Sequence, residues 1–479
     1  MKAQVEQLKM CIGGNWVNRE AKIDVYNPQN NELIASVPSA SKDDMLEAIK
    51  MAEEGVKIAA NMPVHERASI LYRAASLLEE RKEEFAKTIA EEGSKTIREA
   101  TGEVQRTIET LTISAEETRR INGETLAFDQ RPGSENRVGY YYRFPIGLIA
   151  AITPFNDPLN LVAHKIGPAI ASGNAIIIKP ASVTPLSALK LAGLLEEAGL
   201  PRKVLSVVTG KGSEVGDVLT QHEAVQMVSF TGGYETGKQI SAKAGVKKLG
   251  MELGSNSPVI VLKDADLSKA VDSTVSGSFS AAGQNCIGVQ RVYVEQEIYE
   301  VFQQQFVDKS KKFIVGDKLS EQTDMGPLIT EGEAKRVESW VKEAIDKGAK
   351  LLCGGNRNGA FYEPTVLANL PNNCTLAREE VFGPVVILYE VDTLDDAINR
   401  SNDVDYGLQA GIFTQNIEHA FRAIHNIKVG GIIVNDSSDY RIDAMPFGGV
   451  KNSGLGREGI QYAINQMTDP KVVCFNLSN

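Results

Sequence analysis

The sequence predicts an α/β fold built as two successive parallel-sheet units with a small separate β element. From residue 146 onward, short continuous apolar runs alternate with helix-like stretches, the pattern of parallel strands covered by helices on both faces. Glycine and polar residues gather where those strands end, the side on which open parallel sheets bind ligands. The chain's 479 residues also exceed one ordinary core, so two or three structural units are expected.

Residues 11–40 read as short strands with turns, around Cys11–Val17 and Tyr26-Asn27-Pro28. Residues 41–121 change character. Ser41 precedes Asp43 and Asp44, an N-cap with an acidic first turn. Apolar positions then recur at three-to-four spacing in three runs: Met45, Ile49, Ala52; Ala68, Leu71, Ala75, Leu78; and Glu99 through Val104, Ile108 and Leu111. At 122–145 the helical pattern stops, and Gly123, Pro132 and Gly133 lead into Arg137–Phe144, rich in strand-forming aromatics. This stretch reads either as an arm offered to another subunit or as an ordinary hairpin.

The first alternating series follows. The strand Gly147–Ile152 ends at Thr153-Pro154-Phe155-Asn156, ahead of a helix over Leu161–Ala171. Ala175–Lys179 is a strand ending at Pro180, Pro185–Ala198 a helix, Val204–Val208 a strand, and Gly210–Gly216 opens another helix. Met227–Phe230 runs into Thr231-Gly232-Gly233 and Gly237. After Glu252 the pattern repeats, with a strand Ser257–Leu262, a helix Leu267–Ala282 reaching Cys286, a strand Arg291–Val294 and a helix Tyr299–Ile314. Glu379–Pro384 reads as a turn and Pro446–Gly454 as a glycine-rich loop. Pro470–Phe475 is expected to be a strand pairing with 122–145.

Composition excludes several classes. A net charge of −11 argues against nucleic acid as a main partner, which wants a cationic footprint. No stretch approaches the roughly 18 to 20 apolar residues that span a bilayer, so no membrane partner is expected. Met1–Met10 is charged and lacks an apolar core, which argues against secretion. The five cysteines are odd in number and without metal-ligand spacing, which fits free thiols and a cytoplasmic location. The five histidines form no HxxxH or HExxH, so no metal is expected.

Two stretches point to chemistry. Cys286 follows Gly283-Gln284-Asn285, and Glu252 stands between a strand end and Leu253-Gly254. A thiolate attacks carbonyl carbon well, and a desolvated glutamate draws a proton from a thiol or from water. A lone cysteine is more often a buried apolar residue. The turns at 210–216 and 232–237 let backbone approach a pyrophosphate at a helix N-terminus, although neither has the full dinucleotide spacing. Lys179 adds a cation at a strand end, or is a solvated lysine.

Seven motifs in order resemble the NAD(P)-dependent aldehyde dehydrogenase superfamily over essentially the whole chain: Thr153–Asn156, Lys179–Ser182, Phe230–Gly233, Glu252–Gly254, Gly283–Cys286, Glu380–Pro384 and Pro446–Gly449. The resemblance implies an aldehyde dehydrogenase-like fold. A Rossmann-like parallel-sheet cofactor domain would take 1–121 and 146–252, an α/β catalytic domain 253–460, and a small β oligomerisation element 122–145 and 461–479. That element pairs subunits into a homodimer or homotetramer in the family. By the same resemblance Cys286 attacks the aldehyde, Asn156 and the Cys286 backbone N–H hold the oxyanion, Glu252 activates water, and Lys165 supports the site. Ile152, Thr153, Pro154, Phe155, Lys179, Ser182, Gly212, Gly232, Gly233, Gly237, Leu253, Glu380 and Phe382 are the expected contacts of NADP or NAD.

Two departures from the common pattern bear on the cofactor. Ser182 stands where NAD-preferring relatives carry a glutamate, and Gly233 where many have serine, so acceptance of NADP is expected. For the substrate, Arg106, Arg291 and Arg441 fall in regions that flank the tunnel in relatives handling anionic aldehydes, though single arginines are more often ion-paired. The general look is similar to lactaldehyde, non-phosphorylating glyceraldehyde-3-phosphate, succinate-semialdehyde and sulfolactaldehyde dehydrogenases. Asn285, where the glyceraldehyde-phosphate enzymes typically have arginine, weakens the phosphate case. A short hydroxylated or anionic aldehyde is therefore the expected substrate. The rivals are a CoA-acylating enzyme, against which Glu252 argues, a general detoxifier, and an inactive structural protein, against which Cys286 and Glu252 together argue.

Overall fold

The computed structural model describes residues 6–478, so the first part of the charged Met1–Met10 stretch lies outside the described residues. Its first sheet has eight strands. The five central ones are mutually parallel: Leu148–Ile152, Ala175–Lys179, Leu205–Val207, Val225–Thr231 and Lys248–Glu252. Their apolar runs are buried because helices cover both faces, and Ile176, Ile177 and Ile178 have no exposed surface. The earliest of these five, Leu148–Ile152, lies between Ala175–Lys179 and Val225–Thr231, so the winding direction reverses beside it. A crevice opens at such a reversal, outside the carboxyl ends of the strands.

A second sheet of seven strands carries Ser257–Val261, Val289–Glu295 and Val385–Val391 near its middle, again parallel. The two cores are separate clusters of apolar side chains. Among the described residues no helix is long and apolar enough to cross a membrane.

Several local expectations change in the fold. The helical region contains four helices, Lys42–Asn61, Val64–Glu80, Lys82–Glu92 and Ile97–Thr118, where the periodicity suggests three runs. The extra break is at Arg81, whose backbone (φ −111°, ψ 20°) leaves the helix without a glycine or proline to mark it. Ser41 with Asp44, and Thr96 with Glu99, form reciprocal capping boxes at two helix starts. Gly212–Gly216 is a single π turn ahead of a short helix, Asp217–Gln221. Met10–Ile12 and Asn15–Val17 form a hairpin that extends the first sheet.

Arg137–Pro145 pairs antiparallel with Thr468–Asn476 along its whole length, Pro145 opposite Thr468 and Arg137 opposite Asn476. Thr125–Leu126 pairs on its other side. Val138, Tyr142 and Val472 of this three-stranded sheet are half exposed. Before reaching it the chain returns to the first unit. Gly454–Leu455 pairs beside Met251 and Glu252, and the helix Ile460–Gln466 buries Ile460 and Ile464 in the first core.

Candidate active site

Cys286 is delivered by a strained turn. The helix Leu267–Phe279 stops, and Ala281, Ala282 and Gly283 all take positive φ (52°, 55° and 68°). For the two alanines this costs on the order of 1–2 kcal/mol each, so surrounding contacts must hold the geometry. Glu99 Oε1 accepts the Ala281 N–H at 2.7 Å. The Gln284 side chain donates to Ala281 O at 3.0 Å and accepts the Ile329 N–H at 2.9 Å. A Cβ on Gly283 would lie 2.2 Å from Gly383 O, so glycine is required there by packing as well as by φ. The thiol itself is half-buried.

Glu252 ends the strand Lys248–Glu252, paired with Thr231 at the end of Val225–Thr231. Its backbone carbonyl accepts the Gly232 N–H at 3.0 Å, and Leu253 N–H donates to Ser453 O at 2.9 Å. The loop 446–454 packs directly on the carboxylate: a Cβ on Gly448, whose φ is 153°, would lie 2.9 Å from Glu252 Oε1. Glu252 is buried and its Oε2 has no hydrogen-bond partner among the described residues. Burial, with the charge of Glu458 added, pushes its carboxyl well above the usual range against the opposing charges of Arg441 and Lys165. Burial also pushes the Cys286 thiol up, Glu380 adding to the effect and Arg441 opposing it.

Asn156 follows the strand Leu148–Ile152 by four residues. The next residue, Asp157, is ion-paired to Lys95 and lies 3.8 Å from Arg106. Glu103, itself held by Lys95 at 2.8 Å, accepts the N–H groups of Leu159 (2.9 Å) and Asn160 (3.0 Å) at the start of the next helix. The segment carrying Asn156 is therefore anchored immediately after it by charged groups.

Two cavities meet at this point. One, of about 450 Å³, is lined by Arg106, Arg441, Phe447 and Glu458. The other, of about 720 Å³, is lined by Ile152, Thr153, Pro154, Phe155, Gly232, Gly233, Trp340, Glu380 and Phe382. Asn156, Glu252, Leu253 and Cys286 line both. The larger cavity fits a dinucleotide in size and chemistry. Phe155 and Phe382 meet edge to face at 5.7 Å, the buried Thr153 Oγ1 has no hydrogen-bond partner among the described residues, and Gly233 opens the helix Tyr234–Lys243 without a side-chain cap. Uncapped N–H groups at a helix start are an anion site. Glu380 accepts the Ser255 N–H at 2.9 Å, and burial pushes its carboxyl up to about 7.

The remaining expected residues divide. Lys165 is buried and donates to Thr231 Oγ1 at 2.8 Å while ion-paired to Glu458. Lys179, Ser182, Gly212 and Gly237 lie outside the lining of the larger cavity. Lys179 is buried, donates to Pro180 O at 2.8 Å and is brought down to about 8 by burial. Ser182 donates to Gly210 O at 3.1 Å, one residue beyond Ala181, which does line the cavity. Arg291 does not line the smaller cavity. Its guanidinium is spent on the backbone carbonyls of Asn256, Arg400 and Ser401 and on Tyr293 Oη, bracing the second sheet.

Arg106 donates to Asp443 from Nη2 (2.8 Å) and Nε (3.3 Å). Arg441 differs. Its side chain is buried over the Phe447 ring, 3.7 Å from the ring centre, and its Nε and Nη2 have no hydrogen-bond partner among the described residues. Sequence reasoning missed Glu458, Glu99, Asp157 and Asp443. Only Glu99 carried a signal, the Thr96-x-x-Glu99 capping box, and its second contact, to the Cys286 turn, is tertiary.

Comparison with known proteins agrees with this geometry. The model of the aldehyde dehydrogenase family matches residues 16–473. The chain is 48% identical over 474 residues to 3-sulfolactaldehyde dehydrogenase of Priestia aryabhattai, covering 99% of each. Aldehyde dehydrogenase 21 from Physcomitrella patens, solved with the reaction product succinate, superposes with a TM-score of 0.97 at 40% identity, covering 99% of each chain. The glyceraldehyde-3-phosphate dehydrogenase GapN of Methanocaldococcus jannaschii, solved with NADP, gives 0.93 at 42% identity, covering 96% of this chain and 100% of that one. With its fold, its paired cavities and its full-length relatives in agreement, the chain belongs to the aldehyde dehydrogenase family and is an NAD(P)-dependent aldehyde dehydrogenase.

Proposed function

We propose that the protein oxidises a short aldehyde bearing an anionic group to the carboxylic acid, with Cys286 as nucleophile and Glu252 as the base for hydrolysis. One observation carries this reading: two cavities meet at Cys286, and the smaller holds a buried arginine with unpaired donors.

Cys286 Sγ adds to the carbonyl carbon, its proton passing to solvent water, to give a thiohemiacetal and leaving Glu252 unprotonated for the second step. The Asn156 amide and the Cys286 backbone N–H stabilise the developing oxyanion in a site screened from water. A nicotinamide cofactor, when bound in the larger cavity, supplies the hydride acceptor; Glu380, Thr153 and the Phe155–Phe382 pair would hold it. Loss of hydride from the thiohemiacetal leaves a thioester on Cys286. Glu252 then takes a proton from water as its oxygen attacks, releasing the acid and the thiol. The presence of this buried base supports hydrolysis over transfer to CoA.

For the substrate, Arg441 is the group that meets the anion, with Arg106 beside it. The sulfolactaldehyde dehydrogenase and the succinate complex among the relatives support an anionic substituent. Arg441→Ala is expected to lower kcat/KM for succinate semialdehyde and sulfolactaldehyde about 100-fold, as loss of a buried charge-assisted hydrogen bond worth ~2–3 kcal/mol requires. Rates with a neutral aldehyde of equal length should change little. Initial rates of NAD(P)H formation across that panel are the test, and unchanged anionic kcat/KM would overturn the substrate reading.

We also propose that NADP is accepted alongside NAD, because Ser182 places no carboxylate at the adenosine end. Ser182→Glu is expected to lower kcat/KM for NADP about tenfold or more through like-charge repulsion, leaving NAD little affected. Unaltered selectivity would sink this point. The half-exposed apolar sheet of 137–145 and 468–476 supports assembly into a homodimer or homotetramer, which the native mass from light scattering checks.

A further inference from the structure

The loop that carries Arg441 and Phe447 into the smaller cavity is fastened at several places. At its start Gln409 Nε2 donates to Ser438 O (2.6 Å) and Tyr440 O (3.1 Å), and Ser438 Oγ donates to Ile287 O, next to Cys286, at 2.8 Å. At its end Phe447 and Glu458 exchange backbone hydrogen bonds at 3.0 and 2.6 Å. Between these lies Asp443, two residues from Arg441.

Asp443 is a buried carboxylate on a loop, and its partners come from two helices of the first unit. Arg106, of the helix Ile97–Thr118, reaches it with two donors at 2.8 and 3.3 Å. Asn160 Nδ2 (3.3 Å) and His164 Nε2 (2.7 Å) reach it from the helix Asn160–Ala171. Asn160 is fixed in turn by Thr110 Oγ1 at 2.9 Å, so the two helices are tied together at the same place. Neither Asp443 nor His164 lines the smaller cavity; Arg106 and Arg441 do.

This division of labour has a physical consequence. Arg441 makes no hydrogen bond through Nε or Nη2; its closest carboxylate oxygen, Glu458 Oε2, is 3.6 Å away. Its direction is therefore set by the Phe447 ring beneath it, by the Glu458 carboxylate and by the path of its own backbone, which is held at Tyr440 by Gln409 on one side and at Asp443 on the other. A long side chain that must present guanidinium N–H groups to a ligand binds well only if the fold orients it in advance. Arg106, lining the same cavity, is turned by the same carboxylate.

We infer that Asp443 is a positioning residue for substrate specificity: it clamps the Arg441 loop to the two helices and so aims Arg441, and Arg106 with it, at the anionic group of the aldehyde. The inference rests on the substrate reading above and adds to it a residue that touches no substrate. It predicts a selective defect. An Asp443 variant should lose affinity for anionic aldehydes and retain turnover of neutral ones, because Cys286, Glu252 and Asn156 stand on other elements.

Asp443→Asn is the first variant, since it preserves volume and keeps one acceptor. His164→Leu is the second, removing one partner of Asp443 from the side away from the cavity. KM and kcat are measured with succinate semialdehyde and with a neutral aldehyde of equal length, for wild type, each variant, Arg441→Ala, and Asp443→Asn combined with Arg441→Ala. The expected result is a KM for the anionic aldehyde raised about tenfold in Asp443→Asn and by less in His164→Leu. The kcat and the neutral-aldehyde KM should stay within about twofold. The double variant should be only slightly worse than Arg441→Ala, because with Arg441 gone only the aim of Arg106 is left for Asp443 to set. If Asp443→Asn impairs anionic and neutral aldehydes equally, or neither, or if its effect multiplies fully with that of Arg441→Ala, the inference is overturned while the substrate reading stands. If Arg441→Ala itself shows no preference for losing anionic aldehydes, both are overturned. Should Asp443→Asn not fold, an unselective His164→Leu overturns the inference by itself.

Discussion

Cys286→Ala is expected to abolish NAD(P)H formation with every aldehyde, a loss on the order of 10⁴- to 10⁶-fold of the kind that follows removal of an attacking atom. The substitution removes one sulfur from a turn whose shape depends on Glu99, Gln284 and Gly283 and not on the thiol. Folding and cofactor binding should therefore survive. Trp340 lines the larger cavity, so quenching of its fluorescence by added NADP reports binding independently of chemistry. An alanine variant that quenches normally and turns over nothing supports the nucleophile; one that retains more than a few per cent of wild-type activity removes Cys286 from that role.

Glu252→Gln separates the two halves of the reaction. The thiohemiacetal still loses hydride, but water is no longer activated, so the enzyme should release about one equivalent of NAD(P)H per site and then stall. Steady-state turnover should fall ~10²- to 10⁴-fold, the usual contribution of a general base. The stalled protein should carry the acyl group on Cys286, visible as a mass increase in a quenched sample. The pH dependence follows from burial. Because the Glu252 carboxyl is pushed above the ordinary carboxylate range, it stays protonated further up the pH scale and acts as a base only once deprotonated. Wild-type deacylation should thus rise with increasing pH through that raised pKa, and the rise should be missing in Glu252→Gln. A variant that turns over at the wild-type rate with no burst would assign the base to another group.

How the site could be read in advance depended on the reach of each interaction. Asn156, Glu252 and Cys286 each follow or end a strand or helix, and short motifs marked all three. Glu380, Phe382 and Gly232 were marked the same way, and all line the larger cavity. Arg291 shows the limit of that reading. It lies five residues after Cys286, yet a strand alternates its side chains, and this one points to the backbone carbonyls of Asn256 and of the helix Leu394–Asn402 instead of the cavity. Lys179 has the right position at a strand end, but burial turns its ammonium back to its neighbour's carbonyl.

The residues that no motif announced are those whose partners are distant in the chain. Asp443 meets Arg106 across 337 positions and His164 across 279. Lys165 meets Glu458 across 293. A single acidic residue in a loop has no periodicity and no local partner to betray it.

The sequence by itself determined the α/β class, most of the order of strands and helices, the turns that carry the thiol and the carboxylate, and the extended segments that pair in the small β sheet. Those depend on local propensity and on the period of apolar residues, which repeat within a few positions. Only the tertiary structure decided that the strand Leu148–Ile152 lies at the reversal of the first sheet, and that the chain crosses back through Gly454–Leu455 and Ile460–Gln466 before the strand Thr468–Asn476. It alone decided which arginines face the cavity. Those outcomes come from pairings hundreds of residues apart, where burial chooses between an exposed charge, a braced one and one left without a hydrogen-bond partner among the described residues.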